Sequence, residues 1–318
     1  MPFGQIVIGP PAAGKTTYCC AMVAHLAKNG RKVAVVNLDP ANDILPYKPA
    51  IDIADLIKLS DVMESLKLGP NGALIYCMEF LEKNSDWLQN QLEEIKDSYI
   101  LFDFPGQVEL FTHNSSVKTI VNHLVKADYR LTCVNLIDSF CCSEAGKYIS
   151  ALVISLNTML QMELPHINVL SKFDLFKKCK TTAFNEEFYT DVLDLEFLLD
   201  HLQADPVFKK YKKLNESLIG VVEGYSLVSF LPLNIQVKIS KPSVGKFQEL
   251  HVYSKYLYHD LPTRFFGITV FYNYITGILK PSVGKFQELY RKYLYHDLPT
   301  RFFGITLFRY RNFETVSR

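Results

Sequence analysis

Much that would mark a protein as secreted, zinc-bound or membrane-embedded is missing from this chain. Its 318 residues hold seven cysteines, all before residue 180, with two adjacent pairs (Cys19-Cys20 and Cys141-Cys142) and no C-x-x-C. An odd number without that spacing argues against a disulfide framework and against a zinc site. It suits small core residues in a reducing compartment. The eight histidines form no H-x-x-x-H or H-E-x-x-H pair, which removes the common helical zinc arrangement. The most apolar window, residues 151–162, is interrupted by Ser155, Asn157 and Gln161 and is too short to cross a bilayer. The chain opens on its first strand pattern with no signal peptide in view. The expectation is a cytoplasmic protein, with shuttling to the nucleus as an option, and no membrane partner.

A strong net charge is also missing, but the near-neutral sum hides an asymmetry. Residues 238–318 carry 13 Lys/Arg against 5 Asp/Glu, and residues 1–237 carry 21 against 28. The two parts differ in kind. The second is itself nearly duplicated: KPSVGKFQEL at 241–250 returns at 280–289, and KYLYHDLPTRFFGIT at 255–269 returns at 292–306. Solenoid repeats keep framework positions and drift elsewhere. Identity between 241–269 and 280–306 that extends to surface positions fits a recent duplication, or a gene-model artefact, better. The chain thus reads as a domain at 1–237 and an irregular, repeated tail at 238–318. The tail's aromatic and basic residues could suit single-stranded nucleic acid, but the duplication explains them more simply. No nucleic-acid partner is expected.

The richest stretch is GQIVIGPPAAGKTT, residues 4–17. Gly9, Gly14, Lys15 and Thr16 fit the P-loop spacing G-x-x-x-x-G-K-[ST]. A polyphosphate needs several backbone N–H groups pointing inward, which bulky side chains would block. Ala12 and Ala13, where Gly or Ser is commoner, stiffen the loop without blocking it. A helix from about Lys15 adds its positive dipole end, with Thr17 in its first turn. Lys15 would reach the outer phosphates, and the Thr16 hydroxyl would ligate Mg²⁺.

Further along, buried strands are expected at 5–8, 32–39, 98–107 (ending in a turn), 131–138, 166–171 and 226–234. Helices are expected at 17–28, 78–95, 117–126 and 145–162, with helical patterns at 53–59, 62–66 and across 184–224. The stretch Gly69-Pro70-Asn71-Gly72 reads locally as a turn. Such alternation predicts an α/β fold, a P-loop NTPase with a mainly parallel sheet flanked by helices.

Three clusters could complete a site. Asp103-Phe104-Pro105-Gly106-Gln107 follows a strand. Asp103 can hold Mg²⁺, Gly106 can offer its N–H to a γ-phosphate, and Gln107 can orient a water. The bland reading is a D-x-P-G reverse turn. Ser171-Lys172-Phe173-Asp174 ends a later strand, where a purine would lie. Asp174 can accept from guanine N1–H and N2–H₂, and the Lys172 stem can stack on the base. Asp39, ending the second strand, can face the metal shell or the attacking water, or serve only as a turn or N-cap residue.

The P-loop, NLDPA (37–41), GPNG (69–72), DFPGQ (103–107), SKFD (171–174) and PLN (232–234) together resemble the GPN-loop GTPases over about residues 1–237. IGPP, LPHINVLSK and SFLPLNIQ are similar to the versions in the family's second eukaryotic paralogue group. The resemblance implies a GPN-loop insertion and face-to-face homodimers or heterodimers with paralogues. In these, Asn71 would approach the partner's site and act in catalysis as an arginine finger does elsewhere. It further implies a role in assembly and nuclear import of RNA polymerase II, with polymerase III as an extension. The family continues with a helix after about residue 235, where this chain enters its repeats. Two other readings compete. A P-loop kinase lacks support because no Arg-rich lid is visible. A GTP-binding scaffold with little turnover is disfavoured by intact Lys15, Thr16, Asp103 and Gln107.

Overall fold

Short apolar runs alternating with amphipathic stretches can bury both faces of each strand only inside a sheet covered on both sides by helices. The computed structural model describes residues 2–176, 183–192, 194–204 and 209–235. Among these, the order is β1 (Phe3–Ile8), α1 (Lys15–Lys28), β2 (Val33–Asn37), β3 (Ile51–Asp52), α2 (Leu59–Leu66), α3 (Pro70–Lys83), α4 (Ser85–Glu93) and β4 (Tyr99–Asp103). There follow α5 (Glu109–Thr112), α6 (Ser116–Lys126), β5 (Arg130–Asp138), α7 (Ala145–Met162), β6 (His166–Ser171), α8 (Phe173–Phe176), α9 (Glu186–Asp191), α10 (Glu196–Ala204), α11 (Lys212–Tyr225) and β7 (Phe230–Pro232). The repeated segments 241–269 and 280–306, with everything from residue 236 on, lie outside the described residues.

The seven strands form one sheet in the order β3-β2-β4-β1-β5-β6-β7, and every described pairing is parallel. Parallel pairing puts all carboxyl ends on one edge. Val7 and Asn37 both pair with Asp103, Ile8 with Asn135, and Asp138 with Ser171. The chain runs outward from β1 to β2, then crosses back over β1 to reach β5. The resulting crevice at the strand ends is where ligands bind in open α/β sheets. One core cluster joins Ile6, Val36 and Phe102 of the sheet to Leu74, Met78 and Leu81 of α3 and Ile120 of α6. A second joins Ile137 and Leu170 to Tyr148 and Leu152 of α7, Leu198 of α10 and Ile219 of α11.

Several boundaries differ from the sequence reading. Gly69-Pro70-Asn71-Gly72 is not a free turn: Gly69 caps α3 with φ −69° and ψ 166°, and Pro70 is its first residue. A proline's missing N–H is harmless there and its fixed φ suits a helix. The helix therefore starts eight residues before the expected 78. The expected helix 78–95 also breaks at Asn84, whose side-chain amide donates to the Phe80 carbonyl at 2.8 Å. That bond competes with helical continuation. The pattern at 53–59 resolves into a 3₁₀ turn, Ile53–Asp55, with Asp52 accepting from the Ala54 N–H; the short β3 before it went unread. The last strand shrinks to Phe230–Pro232. Pro232 lacks the donor a longer ladder would need.

His166 is 3 % exposed at the start of β6. Burial lowers its imidazole from the usual 6.5 to about 3, with Asn168 opposing the shift. The folded state thus binds fewer protons than the unfolded chain below about pH 6.5. This group's contribution is fully present above that value and is lost as pH falls toward 3. Between pH 7.5 and 5 the loss should reach about 2 kcal/mol. Urea denaturation of His166→Leu should show a correspondingly shallower decline over that range. An unchanged pH slope would show that the imidazole is not held neutral.

Candidate functional site

The turn after β1 is shaped by contacts that only certain residues tolerate. Gly9 has φ 139°, and a Cβ there would lie 2.1 Å from the Leu136 carbonyl oxygen of β5. Gly14, the N-cap of α1, has φ 95° in open space. Ala12 also adopts a left-handed φ of 60°, which is strained for a residue with a side chain. The Ala13 N–H donates to the Pro10 carbonyl at 3.2 Å, and Lys15 Nζ donates to the same oxygen at 3.2 Å. The loop therefore wraps its lysine. Lys15 is 7 % exposed. Burial lowers its ammonium, while Asp103 and then Asp39 pull it back up. Thr16 is half-buried and Thr17 exposed.

Asp103 ends β4 beside the P-loop and is fully buried. Its Oδ2 accepts from the Tyr47 hydroxyl at 2.7 Å. Its Oδ1 has no hydrogen-bond partner among the described residues. Burial pushes the carboxyl up, while the hydroxyls of Tyr47 and Thr16 and the Lys15 ammonium hold it down. Thr16 Oγ1 accepts from Asn42 Nδ2 at 3.1 Å. Gly106 presses on the P-loop: a Cβ would meet Lys15 Nζ at 2.8 Å and Pro11 Cα at 2.9 Å. Any other residue would displace the lysine. Gln107 Oε1 is buried without a partner among the described residues. Asp39 is half-buried, and its Oδ1 accepts from the Ala41 N–H at 3.0 Å. Its turn role and its position facing Lys15 hold together. Burial raises its carboxyl, against the Ala41 N–H and Lys15.

The SKFD segment divides. The buried Ser171 hydroxyl sits 2.6 Å from the Ala13 carbonyl and 3.1 Å from that of Ile137. It ties the P-loop to the sheet. Lys172 has φ 54°, and its Nζ pairs with Asp138 Oδ2 at 2.8 Å. Phe173 turns into the core and stacks on Phe176 with ring centroids 4.9 Å apart. Asp174 is half-buried at the start of α8.

A cleft of about 480 Å³ unites much of this. Ala12, Gly14, Lys15, Thr16 and Thr17 line it from the P-loop, with Asp39, Gly106, Gln107 and Lys172 opposite. Gly9, Ala13 and Asp103 are buried and not part of its lining. Ser171, Phe173, Asp174 and Asn71 are not in its lining; Asn71 is exposed in the first turn of α3. Sequence reasoning missed Asn42 and Tyr47, which carry no motif of their own. It also missed Asp138, whose place at a strand end was readable.

A parallel sheet whose central strand runs into a glycine-rich loop, a buried lysine and a helix defines a P-loop NTPase fold. The family described as "Conserved hypothetical ATP binding protein" matches residues 7–249. The chain is 58% identical over 242 residues to GPN-loop GTPase 2 of Danio rerio, covering 76% of this chain and 78% of that one. It is 57% identical to GPN-loop GTPase QQT1 of Arabidopsis thaliana, covering 79% and 84%. Its fold matches the apo crystal structure of a GTPase from Pyrococcus abyssi with TM-score 0.64 at 23% identity, covering 81% of this chain and 98% of that one. This chain belongs to the GPN-loop GTPase family.

The two loop glycines should differ sharply on substitution. Gly9→Ala should collapse the β1–β5 contact and yield little folded protein, because backbone cannot yield at 2.1 Å. Gly14→Ala meets no atom and should lose only about 1–2 kcal/mol through left-handed strain. Thermal denaturation of both variants checks this; equal losses would contradict it.

Proposed function

We propose that this protein is a Mg²⁺-dependent GTP hydrolase that works as a dimer. The observation that carries the reading is the convergence of Lys15, Thr16, Asp103, Gly106 and Gln107 at one strand edge. Lys15 is desolvated and positive where outer phosphates would lie, so its charge acts at low local dielectric. Gly106 sits against the lysine, in the position of an N–H donor that senses a γ-phosphate. Gln107 offers a carbonyl oxygen, unpartnered among the described residues, to orient a water. Asp39 shares the same cleft as a second acceptor.

The residues fit Mg²⁺. Among the described residues, Asp103 keeps one buried oxygen without a partner, and the Thr16 hydroxyl acts on the same carboxyl. A P-loop Mg²⁺ takes one or two protein oxygens and fills its shell with phosphate oxygens and water. When bound, the ion neutralises charge that develops on the leaving phosphate. Thr16 and Asp103 would hold it.

Guanine choice falls to Asp174, whose half-buried carboxylate stands one residue pair beyond Lys172, itself in the cleft lining. An adenine offers no matching donor pair. The family description names ATP, whereas the named relatives are GTPases, so nucleotide choice is the first quantity to measure. GTP and GDP should bind far better than ATP. Asp174→Asn should weaken guanine-nucleotide binding by about 1–3 kcal/mol. Equal affinity for ATP and GTP in the unmutated protein would exclude the guanine assignment. Lys15→Ala should abolish tight binding, and GTP turnover at the normal rate in that variant would exclude the P-loop assignment.

Asn71 supports the dimer reading. It is exposed, in the first turn of α3, and outside its own cleft, so an action in catalysis requires a second copy or a paralogue. Asn71→Ala should leave GDP affinity unchanged and slow hydrolysis, because the contact is made mainly in the transition state. Turnover per molecule should rise with protein concentration until dimers saturate. A concentration-independent rate in a monomer would remove this role. Assembly and nuclear import of RNA polymerase II, with polymerase III as the extension, complete the proposal on the strength of family membership. Co-purification with polymerase subunits from cytoplasmic extract, sensitive to Lys15→Ala, tests it. Phosphotransfer to a small acceptor in place of hydrolysis would instead favour a kinase.

A further inference from the structure

We propose that Tyr47 is a positioning residue for the metal site: its hydroxyl fixes the Asp103 carboxylate so that one chosen oxygen is left for the ion. The inference rests on reading Thr16 and Asp103 as the metal-holding pair. Residues 38–50 connect β2 to β3, and Ile44 within them is 88% exposed. An exposed connection of this kind would ordinarily find its own hydrogen bonds locally or in water. Three side-chain ties bind it elsewhere instead. Tyr47 donates to Asp103 Oδ2 at 2.7 Å, Asn42 Nδ2 donates to Thr16 Oγ1 at 3.1 Å, and Cys20 Sγ donates to the Pro46 carbonyl at 3.7 Å. The first two end on the metal-holding residues, which come from different elements, β4 and α1.

The chemistry favours orientation over mere packing. A carboxylate torsion is broad and roughly two-fold when nothing restrains it. Here Oδ2 is occupied by a phenol, which only donates to it at neutral pH. Oδ1, buried and without a partner among the described residues, is the oxygen that remains. Asn42 acts in the same sense on Thr16: it takes one lone pair of the hydroxyl and leaves another. The connection after β2 thereby carries the outer layer of a site whose inner ligands lie on β4 and α1. Outer partners of this kind commonly change metal affinity by about 10–100-fold when removed.

Tyr47→Phe in the full chain separates the hydroxyl from the ring. The probe is a fluorescent GDP analogue, titrated in EDTA and then at rising Mg²⁺. Affinity in EDTA should stay within about twofold, because the ring and fold remain. The Mg²⁺ concentration giving half-maximal tightening should rise by about 10-fold. The Mn²⁺ electron paramagnetic resonance signal should show a smaller bound fraction at equal Mn²⁺. An unchanged half-saturating Mg²⁺ would overturn the proposal, and so would equal losses of affinity with and without metal, which would make Tyr47 a packing residue. Asp103→Asn serves as the reference and should lose the Mg²⁺-dependent tightening altogether. If it keeps that tightening, the metal assignment fails and the role of Tyr47 falls with it.

Discussion

The site depends on two opposite charges buried at one strand edge. Lys15 is 7 % exposed and Asp103 fully buried, and each alone would be expensive to desolvate. Each lowers the other's penalty: Asp103 is the leading charge that raises Lys15, and Lys15 helps to hold Asp103 down. The compensation is partial, since Lys15 remains below and Asp103 above the ordinary range. The surrounding loops supply the remainder. Pro10 gives a carbonyl to the lysine, Tyr47 a hydroxyl to the carboxylate, and Asn42 an amide to Thr16. A pair left short of full compensation in this way suits a ligand that brings negative phosphates to the lysine and, on the proposed metal role, a cation to the carboxylate.

The sheet register makes this burial possible. Val7 and Asn37 flank Asp103 in the ladder, so β4 delivers its last residue between the P-loop strand and the strand that leads to Asp39. Gly9 passes so close to Leu136 that no side chain fits, which fixes the P-loop to β5. Ser171, from β6, reaches Ala13 in the same loop. Two strands besides β1, namely β5 and β6, thus pin one turn. The P-loop is held as a preformed cradle, and little ordering is left for the moment of binding.

Residues that act through local covalent geometry were legible in the sequence. The P-loop spacing, the strands at β1, β2, β4, β5 and β6, and the Gly106 approach follow from glycine freedom and apolar runs. What escaped was long-range or small. Tyr47 meets Asp103 across 56 positions, and no window of sequence can show such a pair. The two-residue β3 is shorter than any periodicity. Ser171 illustrates the opposite limit: the motif drew it toward the nucleotide, whereas its hydroxyl joins two backbone carbonyls. A motif identifies a place in the fold more reliably than it assigns each side chain a task.

The GPN tripeptide shows why that distinction matters for function. Judged locally, Gly-Pro-Asn is a turn, and a turn would present Asn71 on a movable tip. In the structure Pro70 opens a 14-residue helix whose Ala73, Leu74, Cys77, Met78 and Leu81 are buried. Asn71 therefore projects from the first turn of an element anchored along its whole length. An amide that acts in a neighbour's site must arrive within a fraction of an ångström to matter in a transition state. A tethered turn would meet that demand only by freezing on contact, with the entropy of ordering deducted from each encounter. In the proposed dimer, a proline-started helix meets it before the encounter. The same three residues that look like a loop signal thus act as a helix start. In the proposed dimer, their value lies in the fixed place the helix gives the asparagine rather than in any flexibility.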